Sequence, residues 1–323
     1  MNRSSLFSTA SFSDYLRAIP QYLYPGHLLS RLLWQAARIR SSGIKERQIR
    51  WFIHRYQVDM GEAIHPNPAT YPDFNSFFTR ALHPAARPMA PDGDAVISPA
   101  DGHVSQFGTI KGAKAVQAKG RDYSVEALLG DGAGDENSPR SPLASLFPDG
   151  QFITVYLSPR DYHRVHMPVA GHLREMRYIP GRLFSVDAAT TRVIPRLFAR
   201  NERVVLLFHT KIGPMALIMV GAVLVGSMET VWAGTVAPAR RAVDLPAGSR
   251  WRTAGSHVRS HLYEDGPEFE RGQEIGRFNM GSTVIVLFPP ETVRWDESLY
   301  SGALVRMGES VGSARRDREH NNQ

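Results

Sequence analysis

The chain has 323 residues, of which 42% are hydrophobic and 21% are charged, a composition that fits one large or two small globular domains and excludes global disorder. Its formal net charge of +7 indicates an anionic partner, and charge alone does not choose between nucleic acid, a membrane surface and an acidic substrate. The sequence contains no cysteine, so disulfides, thiolate metal sites and cysteine nucleophiles are excluded.

The N-terminal part of the chain predicts two amphipathic helices. Residues Met1 to Asp14 are rich in serine and lack the apolar stretch of a secretory signal. Helices are then predicted over His27–Arg40 and Ile44–Tyr56, where apolar residues recur at helical spacing and arginines fall mainly on the other side. Trp34 and Trp51 supply aromatic side chains that suit a membrane interface. Two interpretations follow: the pair docks on an anionic bilayer, or it covers a globular core.

The remainder of the chain predicts one further helix and then a β-rich region. The helix is predicted over Asp73–Ala81 and is followed by a proline-rich linker that helices cannot cross. After residue 95, short runs rich in Val and Ile are separated by Gly, Pro and Asp, which is typical of a mainly antiparallel β core. The predicted strands are Gly102–Ile110, Gln151–Leu157, Val204–His209, Met215–Val225, Glu229–Val236 and Thr283–Phe288. Short helices are predicted over Tyr123–Leu129 and Ser185–Leu197.

The longest uncharged run, Ile212–Met228, is too short and too rich in glycine for a membrane span, and it predicts buried strands with a turn near Gly221. The segment Gly130–Ser145 predicts a surface loop. We therefore expect an α+β fold with a mainly antiparallel β core, shaped like a sandwich or barrel and preceded by N-terminal amphipathic helices. The predicted divisions are a helical, membrane-docking region over residues 1–90, a β-rich catalytic domain over 91–312 and a disordered tail over 313–323.

Several common catalytic motifs are missing. No H-E-x-x-H, P-loop or G-x-G-x-x-G sequence occurs, which argues against a zinc protease, an NTPase and a nicotinamide enzyme. Ser282 does not lie in a G-x-S-x-G sequence, because Met280 and Val284 stand two residues on either side of it. Three other segments combine residues that can carry chemistry. They are Ser98–His103 (SPADGH), Ser158–Pro168 (SPRDYHRVHMP) and Gly276–Thr283 (GRFNMGST).

The third segment places the Ser282 hydroxyl beside the Gly281 carbonyl. Attack of this hydroxyl on that carbonyl would convert the amide into an ester, provided that a base takes the proton and the oxyanion is stabilised. Elimination of the ester would cut the chain between Gly281 and Ser282 and leave a pyruvoyl group in place of the serine. Taken alone, however, Gly-Ser-Thr before an apolar strand is more commonly an ordinary turn.

The other two segments supply titratable groups. His163 and His166 titrate near neutral pH and are candidate bases, although they also have the three-residue spacing of some metal ligands. We expect no metal, because residues three apart in a strand point to opposite faces and no other metal motif is present. Asp101 is a candidate for the carboxylate that orients His166, while its commoner role before a glycine is in a turn.

Together these segments resemble those of bacterial phosphatidylserine decarboxylases, whose pyruvoyl serine lies in a Leu-Gly-Ser-Thr motif. The resemblance covers roughly residues 50–310. It includes Gln117–Gly120, Tyr123–Leu129, Pro180–Val186, Phe198–Arg203 and Gly226–Gly234. In this chain Met280 replaces the leucine of the motif, a change of similar volume. The loop Gly130–Ser145 is longer than usual for the family, and the acidic C-terminal extension is missing.

The resemblance implies a role for each candidate residue. Ser282 becomes the pyruvoyl group, and Asp101, His166 and Ser282 act together in self-cleavage at Gly281–Ser282. The pyruvoyl group then forms a Schiff base with phosphatidylserine, which loses CO₂ to give phosphatidylethanolamine. His163 is implied to assist decarboxylation or protonation. No pyridoxal phosphate, metal or other separately bound cofactor is implied.

The resemblance also implies the partners. A large chain 1–281 and a small chain 282–323 remain together as a heterodimer. Whether two heterodimers then associate is left open. The expected partner is anionic phospholipid rather than nucleic acid. The expected location of the protein is the cytoplasmic face of the inner membrane, to which it would be attached peripherally. Three alternatives stay open from the residues alone. They are a serine hydrolase that uses Asp101, His166 and Ser282, a pyruvoyl enzyme for a soluble amino acid, and a lipid-binding protein without activity.

Overall fold

The computed structural model describes residues 10–118, 121–131, 142–223, 227–237, 258–279 and 282–315, together with the backbone of 252–254. In this part of the chain, helices precede a body of antiparallel sheets, which confirms the predicted α+β class and its mainly antiparallel core. Most of the predicted loop Gly130–Ser145 lies outside the described residues, as do residues 316–323 of the predicted tail.

Four α-helices form the N-terminal region. They are α1 (Phe12–Ala18), α2 (Gly26–Ala36), α3 (Ser42–Tyr56) and α4 (Phe74–Phe78). Helices α2 to α4 were predicted, with ends that differ by a few residues, but α1 was not. It begins with a capping box, in which the Ser11 hydroxyl accepts from the Asp14 amide and the Asp14 carboxylate accepts from the Ser11 amide. None of the described helices combines the length and apolarity needed to cross a bilayer.

The N-terminal helices are buried to different degrees. Helices α3 and α4 form a small core of their own, separate from that of the sheets. Its buried members are Ala37, Ile49, Phe52, Val58, Tyr71, Phe74, Phe77 and Phe78. The apolar face of α2 is much less covered, and Leu28 and Leu32 are each 55% exposed. The interpretation of α3 as a core-covering helix is therefore correct for one face, while α2 presents leucines to the surroundings.

The largest sheet has ten strands, and all its neighbouring strands are antiparallel. In spatial order they are β12 (Arg252–Ala254), β13 (Val258–Leu262), β7 (Gly171–Ile179), β8 (Arg203–Thr210), β9 (Gly213–Val220), β16 (Ser282–Phe288), β5 (Gln151–Leu157), β2 (Gly102–Thr109) and β18 (Leu304–Val305), with β14 (Glu268–Phe269) beside β7. Strands β9, β16 and β5 are almost completely buried, which explains why their sequences are apolar runs without alternation.

Three smaller sheets complete the described body. One contains β11 (Gly234–Ala237), β10 (Met228–Thr230), β15 (Glu274–Phe278) and β6 (Arg164–His166), one contains β1 (Ala95–Ile97), β19 (Ser310–Ala314) and β17 (Val293–Trp295), and one pairs β3 (Lys114–Ala118) with β4 (Arg121–Ser124). None of them closes on itself among the described strands. The body is thus a set of open antiparallel sheets rather than a closed barrel.

Helices in the body are short. They are α5 (Val125–Leu129), α6 (Ala188–Val193) and α7 (Leu197–Arg200). Helix α1 packs against α6, and Asp14 forms an ion pair with Arg192 at 2.9 Å. This contact fixes the start of the described chain to the body.

Several predicted boundaries in the body are wrong. The predicted helix Tyr123–Leu129 begins in β4, the predicted helix Ser185–Leu197 is the shorter α6 followed by α7, and the predicted strand Met215–Val225 ends at Val220 as β9. The predicted strand Glu229–Val236 is a hairpin of β10 and β11, because Gly234 adopts a positive φ of 63° at the turn between them. The predicted tail begins too early, since Ser313 lies in β19 and pairs with both Ala95 and Arg294.

Candidate active site

Two connections between strands have predicted site residues within them or directly after them. One links β5 to β6 through residues 158–163, and the other links β15 to β16 through residues 279–281. β5 pairs with β16 and β6 pairs with β15, so each connection joins a strand of the ten-stranded sheet to a strand of the four-stranded sheet. The Phe278 amide donates to the His163 carbonyl at 3.0 Å. The candidate site therefore lies at the junction of these two sheets.

Ser282 begins β16 opposite Leu157, the last residue of β5. Its side chain is fully buried, and its Oγ has no hydrogen-bond partner among the described residues. A buried hydroxyl without a partner costs about 1–3 kcal/mol, and such a group in a native fold needs an explanation. The other residues of the predicted cleavage motif, Met280 and Gly281, lie outside the described part of the chain. Ser282 is thus a buried hydroxyl not committed to any described structural hydrogen bond.

His166, at the end of β6, is oriented by contacts at both ring nitrogens. Its Nδ1 lies 2.8 Å from the Gly272 carbonyl oxygen, and its Nε2 lies 3.1 Å from Tyr162 Oη. A carbonyl can only accept, so Nδ1 carries the proton and Nε2 accepts from the Tyr162 hydroxyl. Burial lowers the pKa of His166 and favours the neutral imidazole. This tautomer leaves Nε2 as the basic atom, as a general base requires.

Asp101 lies near His166, but its carboxylate is bonded elsewhere. The His166 amide donates to the Pro99 carbonyl at 2.8 Å, which places the loop before β2 beside β6. The Asp101 carboxylate accepts from Arg87 Nε at 2.9 and 3.1 Å and also from Arg87 Nη2, and the Met307 amide donates to its Oδ1 at 2.9 Å. In the described structure no hydrogen bond joins Asp101 to the His166 ring. Its negative charge nevertheless acts on that ring and partly opposes the lowering of the His166 pKa by burial.

Local features hold both loops against the sheet. Gly102 follows Asp101 where a Cβ atom would lie 2.2 Å from the Tyr156 carbonyl oxygen, so only glycine allows this close approach to β5. In the other loop, the Ser158 amide and hydroxyl both donate to Asp161 Oδ2 at 2.7 Å. The turn that precedes His163 is thereby closed by its own side chains.

His163 has the least polar surroundings of the predicted residues. Its ring is fully buried and stacks on Phe78, with ring centroids 4.0 Å apart and an interplanar angle of 23°. Neither ring nitrogen has a well-formed hydrogen bond among the described residues. Burial lowers the His163 pKa to about 3, and the positive charge of Arg80 acts in the same direction, while backbone groups at Ser158 and Pro159 act weakly against it. The imidazole is therefore neutral at physiological pH.

Asn279, two residues before the predicted cleavage position, was not itself predicted as a site residue. It is almost fully buried and its amide donates to the Ser227 carbonyl at 2.9 Å. Its side chain donates to Ser227 Oγ and, at 2.8 Å, to Glu229 Oε1, and it accepts from Asn75 Nδ2 at 3.0 Å. These contacts clamp the segment before the cleavage motif to β10 and to α4.

Arg87 and Tyr162 were also missed. Tyr162 stands within the histidine segment, but its importance depends on its contact with His166. Arg87 stands in the proline-rich linker, where sequence indicated only a connection. What marks Arg87 is that it is buried beside the buried Asp101. The burial of these two residues depends on the fold, so the sequence alone gave no signal for Arg87.

An apolar groove leads from the N-terminal helices to this site. It has a volume of about 850 Å³ and is lined by side chains of α2, α3 and α4 and by Pro159 and Val223 of the body. Phe78 lines the groove and also stacks on His163. Trp51 and Arg47 of α3 also line it. Phe78 thus contacts both the groove and the buried imidazole.

Comparison with known proteins identifies relatives over most of the chain. A family model described as phosphatidylserine decarboxylase matches residues 74–313, and a second, described as PSD, matches residues 16–57. The chain is 51% identical over 301 residues to a phosphatidylserine decarboxylase proenzyme of Pseudomonas aeruginosa (strain LESB58), covering 93% of this chain and 98% of that protein. It is 52% identical over 293 residues to the proenzyme of the same name from Pseudomonas entomophila (strain L48), covering 91% and 96%.

Proposed function

Because the chain belongs to the phosphatidylserine decarboxylase family, we propose that it is a carboxy-lyase proenzyme that cuts itself before Ser282 and then converts phosphatidylserine to phosphatidylethanolamine and CO₂. The family resemblance inferred from sequence is confirmed by the matches over residues 74–313. The observation that supports the proposed chemistry is the Ser282 hydroxyl, fully buried and without a described partner, at the junction that also holds His163.

Self-cleavage uses groups of this chain alone. The Ser282 Oγ bonds to the carbonyl carbon of residue 281 as the peptide C–N bond breaks, which converts the amide into an ester and frees the Ser282 amine. The basic Nε2 of His166 is the group we assign to accept the hydroxyl proton. Elimination then transfers the Cα proton of residue 282 to a base and breaks the Cβ–Oγ bond, so that residue 281 leaves as a carboxylate. Tautomerisation and hydrolysis of the resulting dehydroalanine release ammonia and leave the pyruvoyl group.

We assign the positioning of His166 to Gly272 and Tyr162. Asp101 adds negative charge near the His166 ring, and Arg87 holds its carboxylate in place. Asp101 therefore stabilises a transient imidazolium through space. A direct Asp101–His166 hydrogen bond during cleavage remains a prediction.

The pyruvoyl group fits the site, since Ser282 is enclosed at the sheet junction with the neutral imidazole of His163 nearby. When formed, the group supplies an electron sink for the electrons released as CO₂ leaves. Neutral His163 excludes water together with Phe78 and is the group that we assign to orient the reacting carbon. Its predicted part in protonation would require it first to take up a proton. The low pKa of His163 keeps a second positive charge out of this pocket.

The two chains that cleavage produces would stay together through the sheet. The small chain 282–323 begins with β16, which is hydrogen-bonded along its length to β5 on one side and β9 on the other, both in the large chain 1–281. Cleavage at one end of this central strand leaves those ladders intact. This arrangement supports the proposed heterodimer held together without a covalent link.

The apolar groove suits the lipid part of the substrate. Its walls are mainly apolar, Phe78 lines it and also stacks on His163, and α2, which forms part of the wall, exposes leucines. The exposed apolar side chains on α1, α2 and their connection, with the net charge of +7, support peripheral docking on an anionic bilayer. We propose that this surface faces the cytoplasmic leaflet of the cell membrane.

Intact-mass analysis with a decarboxylation assay tests the proposal. Wild-type protein should separate under denaturing conditions into two chains, the smaller with 42 residues (323 − 281) and a blocked, ketone-bearing terminus that reacts with borohydride. Ser282→Ala should remain one inactive chain. An unbroken wild-type chain that hydrolyses esters would favour a serine hydrolase, and cleavage with activity on free serine but not on phosphatidylserine would favour a different pyruvoyl enzyme.

A further inference from the structure

Arg80 is a buried cation that the self-cleavage chemistry does not use. Only 5% of its surface is exposed, and its Nε has no hydrogen-bond partner among the described residues. Its Nη2 makes one long hydrogen bond, 3.3 Å, to the Arg160 carbonyl. A guanidinium carries five donors and is rarely buried without a carboxylate or phosphate to receive them. Its donors are therefore poorly used in this state.

The carboxylates near Arg80 are already occupied. The charges of Asp101 and Glu62 both act on Arg80, yet both carboxylates are hydrogen-bonded to Arg87. Glu62 also pairs with Arg306 at 3.3 Å. No carboxylate lies within ion-pair distance of Arg80 in the described part of the chain. Arg80 is thus a surplus positive charge in a buried region, which an anionic ligand would neutralise.

Arg80 is placed where a headgroup would follow an acyl chain. It comes two residues after Phe78, which lines the apolar groove and stacks on His163. The Arg80 guanidinium lies 5.5 Å from the ring centre of Phe77, and its charge lowers the pKa of His163. The groove and the imidazole therefore meet at Phe78, and the guanidinium lies just beyond the end of α4, where its charge acts on the imidazole.

We propose, resting on the proposed function, that Arg80 is a substrate-binding residue that receives the phosphodiester of the phosphatidylserine headgroup. The headgroup also has a carboxylate, but an ion pair with that group would stabilise a charge that disappears as CO₂ leaves and would raise the barrier. The phosphate keeps its charge throughout the reaction, and the fork of a guanidinium matches its oxygens. Binding the phosphate therefore anchors the substrate without opposing the chemistry.

Two soluble amines, compared as inhibitors, isolate the contribution of the phosphodiester to binding. Glycerophosphoethanolamine contains the phosphodiester and ethanolamine lacks it, while both contain the reactive amine. As inhibitors of wild-type decarboxylation, the first should bind about 10- to 100-fold more tightly than the second, the range expected for hydrogen bonds to a charged group. Equal inhibition by the two amines would overturn the assignment in wild-type protein, before any variant is made.

Arg80→Gln should reduce the ratio of the two inhibition constants, that of ethanolamine over that of glycerophosphoethanolamine, to near one. It should also raise the KM for phosphatidylserine more than it lowers kcat. The matched control is Arg47→Gln, which removes an exposed arginine at the same groove and should leave the ratio unchanged. Equal effects of both substitutions would show general surface attraction and refute the site. If Arg80→Gln stays uncleaved, Arg80→Lys keeps the charge but loses the fork, and it should give an intermediate ratio; a wild-type ratio in Arg80→Lys would also refute the site.

Calorimetry gives a readout that does not depend on activity. Processed wild-type protein inactivated by borohydride should bind glycerophosphoethanolamine, and the Arg80→Gln variant treated in the same way should not. Inorganic phosphate is the second probe, and binding of it as tight as that of the diester would indicate a site for free phosphate and contradict the headgroup assignment. A wild-type protein that lacks decarboxylase activity would refute the proposed function instead, and the calorimetric comparison would still report on Arg80.

Discussion

Replacement of His163 by leucine tests whether this residue is kept for function at a cost in stability. His163 is neutral and buried with a pKa of about 3, whereas an unfolded histidine has a pKa of about 6.5. Below pH 6.5 the unfolded chain binds a proton at this residue, whereas the folded chain does not. The free energy of unfolding is therefore unaffected by this titration above pH 6.5 and decreases as the pH falls toward 3. His163→Leu should remove this loss.

The expected size follows from the two pKa values. Between pH 6 and pH 4, His163 should lower the free energy of unfolding by about 2.5 kcal/mol, at about 1.4 kcal/mol for each pH unit below 6. At pH 7 the leucine variant should be as stable as its parent or slightly more stable, because two buried nitrogens without described partners are replaced by apolar atoms of similar volume. The same substitution should permit self-cleavage but lower kcat about 100-fold, the usual cost of a substrate held slightly out of position.

Urea unfolding at pH 7, 6, 5 and 4 measures how the free energy of unfolding depends on pH in the His163→Leu variant and in its parent. Both proteins carry Ser282→Ala so that each is a single chain. His166 is present in both proteins, so its contribution cancels in the comparison. Phe78→Leu is the matched control, since it changes the volume at the same contact but keeps the histidine and should retain the acid loss. Parallel loss of stability in His163→Leu and its parent would show that His163 is not held neutral, and the reasoning would fail.

Three further predictions concern the residues around the site. Asp101→Asn should slow self-cleavage and lower stability by about 3 kcal/mol, because Arg87 loses its buried carboxylate; time-resolved electrophoresis and urea unfolding measure the two effects, and unchanged cleavage would remove Asp101 from the reaction. Asn279→Ala should slow cleavage several-fold through loss of the clamp, measured as chain splitting over time, and a rate equal to that of wild type would show that the clamp is structural only. Leu23→Ser, at a position 85% exposed, should weaken binding to anionic vesicles about 10-fold in a flotation assay, whereas the control Leu262→Ser, 54% exposed on the sheet, should not; equal effects would contradict the docking surface.

Local patterns predicted much of the secondary structure and the reacting serine. The amphipathic spacing over Ile44–Tyr56 located α3 at its observed C-terminal end, and the apolar run Gln151–Leu157 is β5 as observed. Ser282 was singled out by the resemblance of its segment, together with the Asp-Gly and histidine segments, to one family, because a Gly-Ser pair alone is more commonly part of a turn. The two other segments could be recognised locally only as sources of titratable groups.

The partners of those groups were decided only by tertiary structure. Asn75 and Asn279 are hydrogen-bonded across 204 positions of sequence, and the order of the ten-stranded sheet places β16 between β9 and β5, which are distant in the chain. The link from Asp101 to Arg87, the hydrogen bond from Tyr162 to His166 and the burial of His163 all arise from this packing. Periodicity reports which face of an element is apolar, whereas pKa values and hydrogen-bond partners depend on what another element brings against that face, and no local pattern contains that information.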